Sequence, residues 1–445
     1  MVKACGTRVN NNTMDTPVPM NKKNKHMKIS RRKFVSNTML ATAGTITLGF
    51  PKAEAATLNP AGANERIHIG LIGCGGYGRY LMGLMLNQYE YLNIRFIAVC
   101  DVWKPQMDIA SERIREATGV TPFQSTRYQD VLDHPDVDAV VIASPDFAHS
   151  RQLVDAAKAG KHIWVEKCMA TRMADANAAL DAIREYGVVC QVGTQRRGDR
   201  RNIATARFMR ENRPLGQIIN ADINININNE RWQRDVDDVR REDVDWEAFL
   251  MYLPNRPYNP HMLRAWRLYK DCSFGSIGLL GTHSIDATTW LCDDSLPERV
   301  VGFGSHMLWK DRRETMDYQH CIFSYPKGWV LNFHSRFQNS YFDGHNFIYG
   351  TNGTFDTQSW VFRGEGGGEN RLEQPIEAPV AEGLSEDSRD NMFLNWVTCI
   401  REGGKTYADI YAGYAHSVAA IMGFQSLLTG QPVVFDSRKR AIRVE

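Results

Sequence analysis

The chain has 445 residues, which is long enough for about two domains of ordinary size. Its composition is typical of a globular protein, with 43% hydrophobic and 23% charged residues. The net charge of +2 divides unevenly, because residues 1–56 carry +8 and the rest of the chain carries −6. A mildly acidic body argues against a nucleic-acid partner.

The first segment, residues 1–56, has the pattern of an export signal. Ser30 to Phe34 reads Ser-Arg-Arg-Lys-Phe, a twin-arginine motif, and a modestly apolar stretch follows over residues 35–50. Ala53 to Ala55 then fits a small-residue cleavage site. We expect a periplasmic protein with no stable membrane span after signal cleavage. The alternative is a basic tail with a chance arginine pair.

A short apolar run from Ile67 to Ile72 predicts a buried strand that leads directly into a glycine-rich loop. The loop is a G-x-G-x-x-G motif, and a helical pattern follows it. Strand, glycine turn and helix in this order are typical of a dinucleotide-binding unit, in which the helix N-terminus faces a pyrophosphate. The expected cofactor-binding residues of the loop are Gly73, Gly75, Gly76, Tyr77 and Gly78.

An acidic residue follows the second predicted strand, residues 94–101. Asp101 lies 23 residues after Gly78, near the spacing expected for the acid that binds the adenosine ribose. It can also cap the helix predicted over 104–118, and the two roles can coexist. A carboxylate there repels a 2′-phosphate, so we expect NAD rather than NADP, although Lys104 can partly compensate the charge.

Strands and helices then alternate, which predicts a doubly wound parallel sheet, a Rossmann domain, over residues 65–193. Ligands of such sheets bind beyond the carboxyl ends of the strands. The predicted strands are 138–144, 161–166 and 188–192, and the predicted helices are 147–159 and 172–186. The polar residues that follow strand ends include Asp101, Asp146, Glu166, Lys167 and Gln195.

The pattern changes after about residue 215, where isoleucines alternate with Asn and Asp over 219–227. This period of two indicates a strand with one buried face. Residues 229–275 form a long irregular segment, and loops of that length are usually functional. Further strands are predicted at 299–309, 317–325, 328–337 and 345–356, with helices at 282–292, 387–402 and 409–428. Strands that follow one another with short turns predict an antiparallel or mixed sheet in a second domain.

The nine cysteines form no C-x-x-C pair, and no Cys/His cluster has metal-ligand spacing. We expect neither a disulfide framework nor a metal site.

Several motifs occur in a fixed order along the chain. They are Gly73-Cys-Gly-Gly-Tyr-Gly78, Ser144-Pro-Asp-Phe-Ala-His149, Glu166-Lys167, Val192-Gly-Thr-Gln-Arg-Arg197, Asp245-Trp246 with Pro257-Tyr-Asn-Pro260, and Gly281-Thr-His283-Ser-Ile-Asp286. With them, residues 65–435 resemble the Gfo/Idh/MocA oxidoreductase family, especially its exported bacterial branch. The resemblance implies a Rossmann domain and NAD(P) chemistry on sugars or polyols. It also implies a C-terminal α/β domain, 194–435, with a large open, mainly antiparallel sheet, for substrate binding and oligomerisation.

The resemblance also implies two catalytic residues. Lys167 would face the nicotinamide and the reacting hydroxyl and share its proton, and His283 would bind that hydroxyl or relay its proton. Two positions depart from the family pattern, because Cys168 replaces a proline and Leu279 replaces an aspartate. Asp286 or another acid can substitute, or the lysine and histidine act alone, or activity is weak.

Other candidates follow from the same motifs. Cofactor contacts are expected at Asp146, His149, Glu166 and Lys167, and substrate contacts at Gln195, Arg196, Arg197, Tyr258, His283 and Asp286. Four aromatic residues of the long segment either stack on a sugar or pack that segment onto the domain, namely Trp232, Trp246, Tyr258 and Trp266.

Three functions fit these features. The first is an exported NAD-dependent oxidoreductase that acts on a sugar, keeps its NAD tightly bound and recycles it, because the periplasm is not expected to supply nicotinamide. The second is a glycoside hydrolase that works by transient oxidation and elimination. The third is a non-catalytic sugar-binding relative, which Leu279 would explain. The family resemblance favours a dimer or tetramer that pairs through the polar face of the strand at 217–227.

Overall fold

The computed structural model describes residues 66–445, and the segment with the export-signal pattern lies outside the described residues. The strands are β1 (Ile67–Ile72), β2 (Ile94–Cys100), β3 (Phe123–Ser125), β4 (Ala139–Ile142), β5 (His162–Val165), β6 (Cys190–Val192), β7 (Ile218–Asn226), β8 (Arg299–Ser305), β9 (Tyr318–Tyr325), β10 (Trp329–Arg336), β11 (Phe347–Gly350), β12 (Thr354–Asp356), β13 (Val361–Arg363), β14 (Ile376–Glu377), β15 (Val433–Asp436) and β16 (Ala441–Val444). The α-helices are α1 (Gly76–Leu86), α2 (Tyr89–Leu92), α3 (Lys104–Thr118), α4 (Tyr128–Leu132), α5 (Asp146–Lys158), α6 (Met173–Tyr186), α7 (Arg200–Asn212), α8 (Trp246–Leu250), α9 (Pro260–Arg264), α10 (Thr282–Leu291), α11 (Ser388–Glu402) and α12 (Ile410–Thr429).

The first sheet has six parallel strands in the order β3-β2-β1-β4-β5-β6. This order is that of the doubly wound dinucleotide-binding fold, so the predicted Rossmann sheet is confirmed. All four residues of β4 are buried, as expected for a parallel strand that helices cover on both faces. The carboxyl ends of the central strands therefore meet at one edge of the sheet.

The second sheet has ten strands in the order β14-β13-β12-β11-β7-β10-β9-β8-β15-β16. Its one parallel pair among the described residues is β7 with β10, and its other pairs are antiparallel. The predicted large, mainly antiparallel sheet is therefore confirmed. Helices α10 and α12 pack on one face of it.

Local details of the second half differ from the sequence expectations. Residues 345–356 form two short strands, β11 and β12, rather than one. In β7, Asn226 was expected on the polar face but is only 1% exposed, since its amide donates to the Tyr341 carbonyl. Ile219 was expected to be buried but is 48% exposed at the start of the strand.

Helix α12 joins the second domain to the edge of the first sheet. It packs against α6, β6 and α10. The approach is close at Gly413, where an added Cβ would lie 2.7 Å from the Met169 sulfur. Just before the helix, the backbone N–H of Val192 donates to the Ala408 carbonyl at 2.8 Å. The residues of α12 are thereby placed beside the chain that follows β5.

Two further expectations concern cysteines and membranes. The eight cysteines of the described region are all buried and unpaired, so they behave as small apolar residues. Within residues 66–445, no helix combines the length and the apolar character needed to cross a bilayer.

We predict opposite effects for two glycine substitutions in α1. An alanine Cβ at Gly78 would lie 1.9 Å from the Gly73 carbonyl oxygen, whereas one at Gly83 would meet nothing within 4 Å. Gly78→Ala should lower the free energy of unfolding by about 1–3 kcal/mol, the usual range for overpacking. Gly83→Ala should raise it by up to about 1 kcal/mol, because alanine favours a helix interior. Urea unfolding followed by tryptophan fluorescence measures both, and equal effects would contradict the prediction.

Candidate active site

A cleft of about 1450 Å³ opens at the carboxyl ends of the first sheet. One side is formed by the glycine loop and by residues that follow β2 and β4, including Asp101 and Pro145. The other side is formed by the long segment after β7, including Trp232 and Arg267. The cleft therefore lies between the predicted cofactor-binding loop and the segment predicted to be functional.

The glycine loop leaves room for a phosphate. A Cβ added at Gly73 would lie 2.6 Å from the Ala143 backbone, but one added at Gly75 or Gly76 would meet nothing within 4 Å. Helix α1 begins at Gly76 with no side-chain cap and no acidic residue in its first turn. Its free N–H groups and positive dipole end therefore suit the pyrophosphate of a dinucleotide.

Asp101 lines the cleft and is fixed by backbone donors. Its carboxylate accepts from the Cys74 N–H at 2.7 Å and from the Trp103 N–H at 2.9 Å. Each oxygen keeps a lone pair for a ribose hydroxyl, and burial raises the pKa of this carboxyl to about 6. The Lys104 ammonium pairs with Asp108 at 2.5 Å, so it does not compensate the charge of Asp101 directly.

Lys167 connects the two domains. It follows β5, and its Nζ donates to the backbone carbonyl of Leu279 at 2.9 Å. Leu279 belongs to a π-helix, Ile277–Gly281, that continues into α10. Such turns are frequent at functional sites. The Lys167–Cys168 peptide bond is cis. At the position where the family motif has an aspartate, this chain thus offers a main-chain oxygen to the lysine.

Asp146 is a buried carboxylate on which the charge of Lys167 acts. It begins α5, is 2% exposed and accepts from the Ser273 hydroxyl at 3.0 Å. Burial raises its pKa to about 6, and the charges of Lys167 and Arg267 oppose that rise. A buried carboxyl held close to two cations is easily kept ionised near neutral pH.

Asp286 is already paired. Its carboxylate lies 2.8 Å from Arg197 Nε and 2.9 Å from Arg197 Nη2, a bidentate ion pair between α10 and the 3-10 helix Gln195–Gly198. Arg197 also lies over the Trp290 ring at 5.1 Å. The sequence placed both residues in the substrate site, and the structure brings them together as partners.

Two histidines lie beside this ion pair. His283 Nδ1 is buried without a hydrogen-bond partner, and burial together with the Lys167 charge lowers the pKa of this histidine well below its ordinary value. His416, on α12, is 1% exposed with both ring nitrogens unpartnered. Burial lowers the pKa of His416 to about 4, and the negative charge of Asp286 opposes this shift only in part. Both imidazoles are therefore neutral at pH 7 and keep an atom free for a ligand.

His149 is tied to two main-chain segments. It is 1% exposed, and its ring nitrogens lie 2.9 Å from the Cys168 carbonyl and 2.8 Å from the Ser144 carbonyl. It therefore joins the segment after Lys167 to the end of β4. Like Lys167 and His283 it does not itself line the cleft, and its cofactor contact stays a prediction.

Three other predicted substrate-binding residues lie in different environments. Gln195 Oε1 is buried without a hydrogen-bond partner in the described region. Burial lowers the pKa of Arg196, and its charge is felt by His283. Tyr258 packs edge-on against Trp246, with ring centroids 5.5 Å apart, and lies outside the cleft lining.

The aromatic residues of the long segment have two roles, since some pack the segment onto the domain and others line the cleft. Trp246 stacks on Phe249 at 5.0 Å within a second apolar cluster, so it packs the segment onto the domain. Trp232 and Trp266 are largely buried but line the cleft. Only these last two offer surface to a ligand.

Two family models match this chain. The first, described as an oxidoreductase family with an NAD-binding Rossmann fold, matches residues 67–194, and its C-terminal alpha/beta domain matches residues 248–435. The chain belongs to the Gfo/Idh/MocA oxidoreductase family. The match to an NAD-binding Rossmann domain confirms the predicted cofactor, NAD.

The relatives fall into two groups. The scyllo-inositol 2-dehydrogenase (NAD(+)) of Bacillus subtilis is 36% identical over 135 residues, 30% of this chain and 37% of the relative. The chain thus spans little more than a third of that enzyme's length. A glycosyl hydrolase family 109 protein of a Shewanella species is 22% identical over 451 residues, 90% of this chain and 93% of the relative.

A solved structure has the same fold. The aldose-aldose oxidoreductase of Caulobacter crescentus is 18% identical, has a TM-score of 0.63, and aligns over 83% of this chain and 100% of its own. At this identity the likeness concerns the fold alone.

Glu166 should make the stability of the folded protein depend on pH. It is 4% exposed, accepts from Trp164 Nε1 at 3.2 Å, and has a pKa raised by burial to about 7. The folded state therefore holds a proton that the unfolded chain releases near pH 4.5, so ionisation destabilises the fold as pH rises from about 4.5 to 7. Glu166→Gln should gain stability over the wild type across this window, by at most roughly 3 kcal/mol.

Urea unfolding of cofactor-free protein at several pH values measures this difference. Glu185→Gln, an exposed substitution on α6, changes one charge and serves as the control. A constant difference between Glu166→Gln and the wild type from pH 4.5 to 8 would contradict the prediction.

Proposed function

We propose that this protein is an NAD-dependent oxidoreductase that acts on a sugar or sugar derivative by hydride transfer at a ring carbon. The observation that carries the proposal is the position of Lys167, which follows β5 beside two buried neutral histidines. NAD, when bound in the glycine cradle, supplies the hydride acceptor. The chain supplies binding, orientation and proton transfer.

Lys167 is the proposed proton acceptor for the reacting hydroxyl. The Leu279 carbonyl fixes the position of its Nζ, and the buried Asp146 carboxylate balances its charge. In its neutral form the amine donates to that carbonyl and keeps its lone pair for the proton of the hydroxyl, and the ammonium that results faces the Asp146 charge. Catalysis by such a positioned group typically contributes a factor of roughly 10²–10⁴.

The two histidines are proposed to carry that proton onwards. His283 and His416 each have an unpartnered ring nitrogen, and a neutral imidazole both accepts and donates a proton. The charge of Lys167 lowers the pKa of each histidine, and the charges of the Arg197–Asp286 pair act on His416. His283 is the proposed substrate-contacting residue, and His416 supports it from α12.

We further propose that NAD remains bound and is recycled. Residues 1–56 carry the twin-arginine pattern, and this export route takes folded proteins, so a cofactor loaded in the cytoplasm would cross with the chain. In the periplasm, released NADH would not be replaced. Hydride taken from one sugar carbon would therefore return to the same molecule or to a second sugar.

Glycoside hydrolysis by transient oxidation is the second candidate function. Oxidation of a hydroxyl to a ketone makes the neighbouring C–H proton acidic, which eases elimination of the glycosidic oxygen as an alcohol. Water then adds to the double bond that is left, and return of the hydride reduces the ketone and completes the cycle. The full-length similarity to the Shewanella glycosyl hydrolase family 109 protein favours this candidate. It needs no pair of catalytic carboxylates, unlike most glycosidases.

A homo-oligomer is proposed to form through the open face of the ten-stranded sheet. This face exposes Val301, Phe303 and Ile322, of which Phe303 is 61% exposed. Beside them, Asp222 accepts hydrogen bonds from Asn332 at 2.8 Å and from Tyr349 at 3.0 Å. Exposed apolar side chains around a satisfied polar network suit a protein interface.

The expected oligomer is a dimer or tetramer in light scattering at micromolar concentration. Phe303→Glu should shift it toward the monomer, because the substitution would bury a carboxylate in an apolar contact. Exposed Tyr411, on α12 and 54% exposed, provides a control as Tyr411→Glu. A monomeric wild type would contradict the proposal.

The function is tested on protein purified without added cofactor and separated from small molecules by gel filtration. We expect NAD to remain bound and a panel of sugars and glycosides to turn over without net formation of NADH. Lys167→Met should keep NAD and lower turnover by roughly 100-fold, the usual scale for losing a general base. The measurements are cofactor mass, absorbance at the NADH band and product analysis.

The outcomes separate the candidates. Sugar released from a glycoside without net NADH supports the hydrolase, whereas sugar oxidation paired with reduction of a second sugar supports the oxidoreductase. Activity that needs added NAD and consumes it stoichiometrically would overturn the recycling proposal. Wild-type turnover in Lys167→Met would remove the lysine from the mechanism, and exposed Lys405→Met is the matched control.

A further inference from the structure

Three arginines on the long segment meet at the cleft. Arg231, Arg234 and Arg267 all line it, on the side opposite the glycine loop. None of them forms an ion pair with a carboxylate of the described residues, and Arg231 and Arg267 donate no side-chain hydrogen bond there. Arg231 Nε is buried without a partner. The cleft therefore holds a cluster of unneutralised positive charge.

Within residues 66–445, no carboxylate lies within ion-pair distance of this cluster, although the charges of Asp146 and Asp343 act on Arg267 and Arg231 from further away. Burial, helped by the charges of Arg234 and Arg231, lowers the pKa of Arg267 to about 10, and Asp146 opposes that shift. Arg267 lies over the Trp266 ring at 4.2 Å and Arg231 over the Trp232 ring at 5.7 Å. Like charges held together in a concave site are unfavourable until an anion enters.

The backbone that carries Arg231 is held in place by specific contacts. Arg313, which is 7% exposed, donates to the carbonyls of Glu230 and Arg231 and pairs with Asp311 at 2.6 Å. Arg231 and Trp232 have φ values of +38° and +69°, a left-handed conformation that non-glycine residues rarely adopt. Strained backbone that is fixed by a buried ion pair is a feature of binding sites.

The cluster lies toward the reacting centre. The charges of both Lys167 and Arg267 lower the pKa of the buried Asp146 carboxyl, so both cations lie on its side of the protein without pairing with it directly. The glycine cradle, by contrast, is formed by residues of the loop after β1. An anion bound by the arginines would therefore belong to the substrate rather than to the phosphates of the cofactor.

We propose that Arg231, Arg234 and Arg267 form a subsite for an anionic group of the substrate, so that the protein acts on an acidic sugar such as a uronate or a sulfated sugar. That the bound sugar is a substrate rests on the proposed function, whereas the subsite itself requires only that the sugar binds. Guanidinium groups bind carboxylates and sulfates through parallel hydrogen bonds, and the neighbouring Trp232 and Trp266 offer apolar surface to the sugar ring.

The test measures binding to NAD-loaded protein by calorimetry, without turnover. The probes are D-glucuronate and D-galacturonate, each compared with its neutral amide, and glucose 6-sulfate compared with glucose and with inorganic sulfate. We expect the acids to bind at least about tenfold more tightly than the amides, as charge-assisted hydrogen bonds imply. Raising the salt concentration should weaken the acids selectively.

Substitutions then locate the binding. Arg267→Gln and Arg231→Gln should each weaken acid binding by about tenfold or more and leave amide binding nearly unchanged. Arg240→Gln is the matched control, because Arg240 lies on the same segment, is exposed and pairs with Asp243 at 2.6 Å. Circular dichroism and NAD content check that each variant is folded and loaded.

Several results would overturn the subsite. These are equal binding of acids and amides, binding of neither in the millimolar range, unchanged acid binding in both arginine variants, and loss of NAD instead of acid binding. Inorganic sulfate that binds as tightly as the sulfated sugar would show a general anion site and no sugar recognition. Acid-selective binding without turnover on any sugar would preserve the subsite and refute the proposed function. Turnover of neutral sugars alone would preserve the proposed function and refute the subsite.

Discussion

The hydrogen bond from Lys167 to the Leu279 carbonyl is the contact on which the proposed site depends, because it joins the two domains at the proposed general base. The lysine comes from the end of a strand in the first sheet, and the carbonyl comes from the π-helix that leads into α10. A charged group placed there loses hydration, so it needs fixed partners. Its position is therefore set jointly by the edge of the parallel sheet and by the helices that cover the ten-stranded sheet.

Burial decides the charge states around that lysine. Histidines that lose water lose affinity for a proton, whereas carboxyl groups that lose water gain it, so burial brings the histidines to the neutral form and raises the pKa values of the carboxyl groups toward neutral pH. His283 and His416 show the first effect, and Asp146 and Glu166 show the second. A centre of this kind moves a proton between side chains without exposing it to solvent.

The sequence was sufficient for the first domain because its signals are local. Each of these signals, an apolar strand, an amphipathic helix or the glycine loop between Gly73 and Gly78, can be recognised from a short stretch of sequence. The partners of Asp286 and the position of His149 depend on contacts across the chain, so no spacing revealed them. His416 was missed because it is one polar residue in an otherwise apolar helical pattern, which ordinarily indicates a core position.

The long segment after β7 shows why composition alone left its role open. Its tryptophans and arginines serve both packing and recognition, and only the three-dimensional arrangement separates the two: Trp246 is stacked inside an apolar cluster, whereas Trp232 and Trp266 reach the cleft. Arginine is suited to this position because its flat cation packs on an aromatic face and still directs its donors outward. The cleft thus presents main-chain N–H groups at the glycine loop and guanidinium groups on the long segment, and its lining also holds the carboxylates of Asp101 and Asp245. A ligand with negative charge at both of the first two places would find donors there that offset the loss of its hydration.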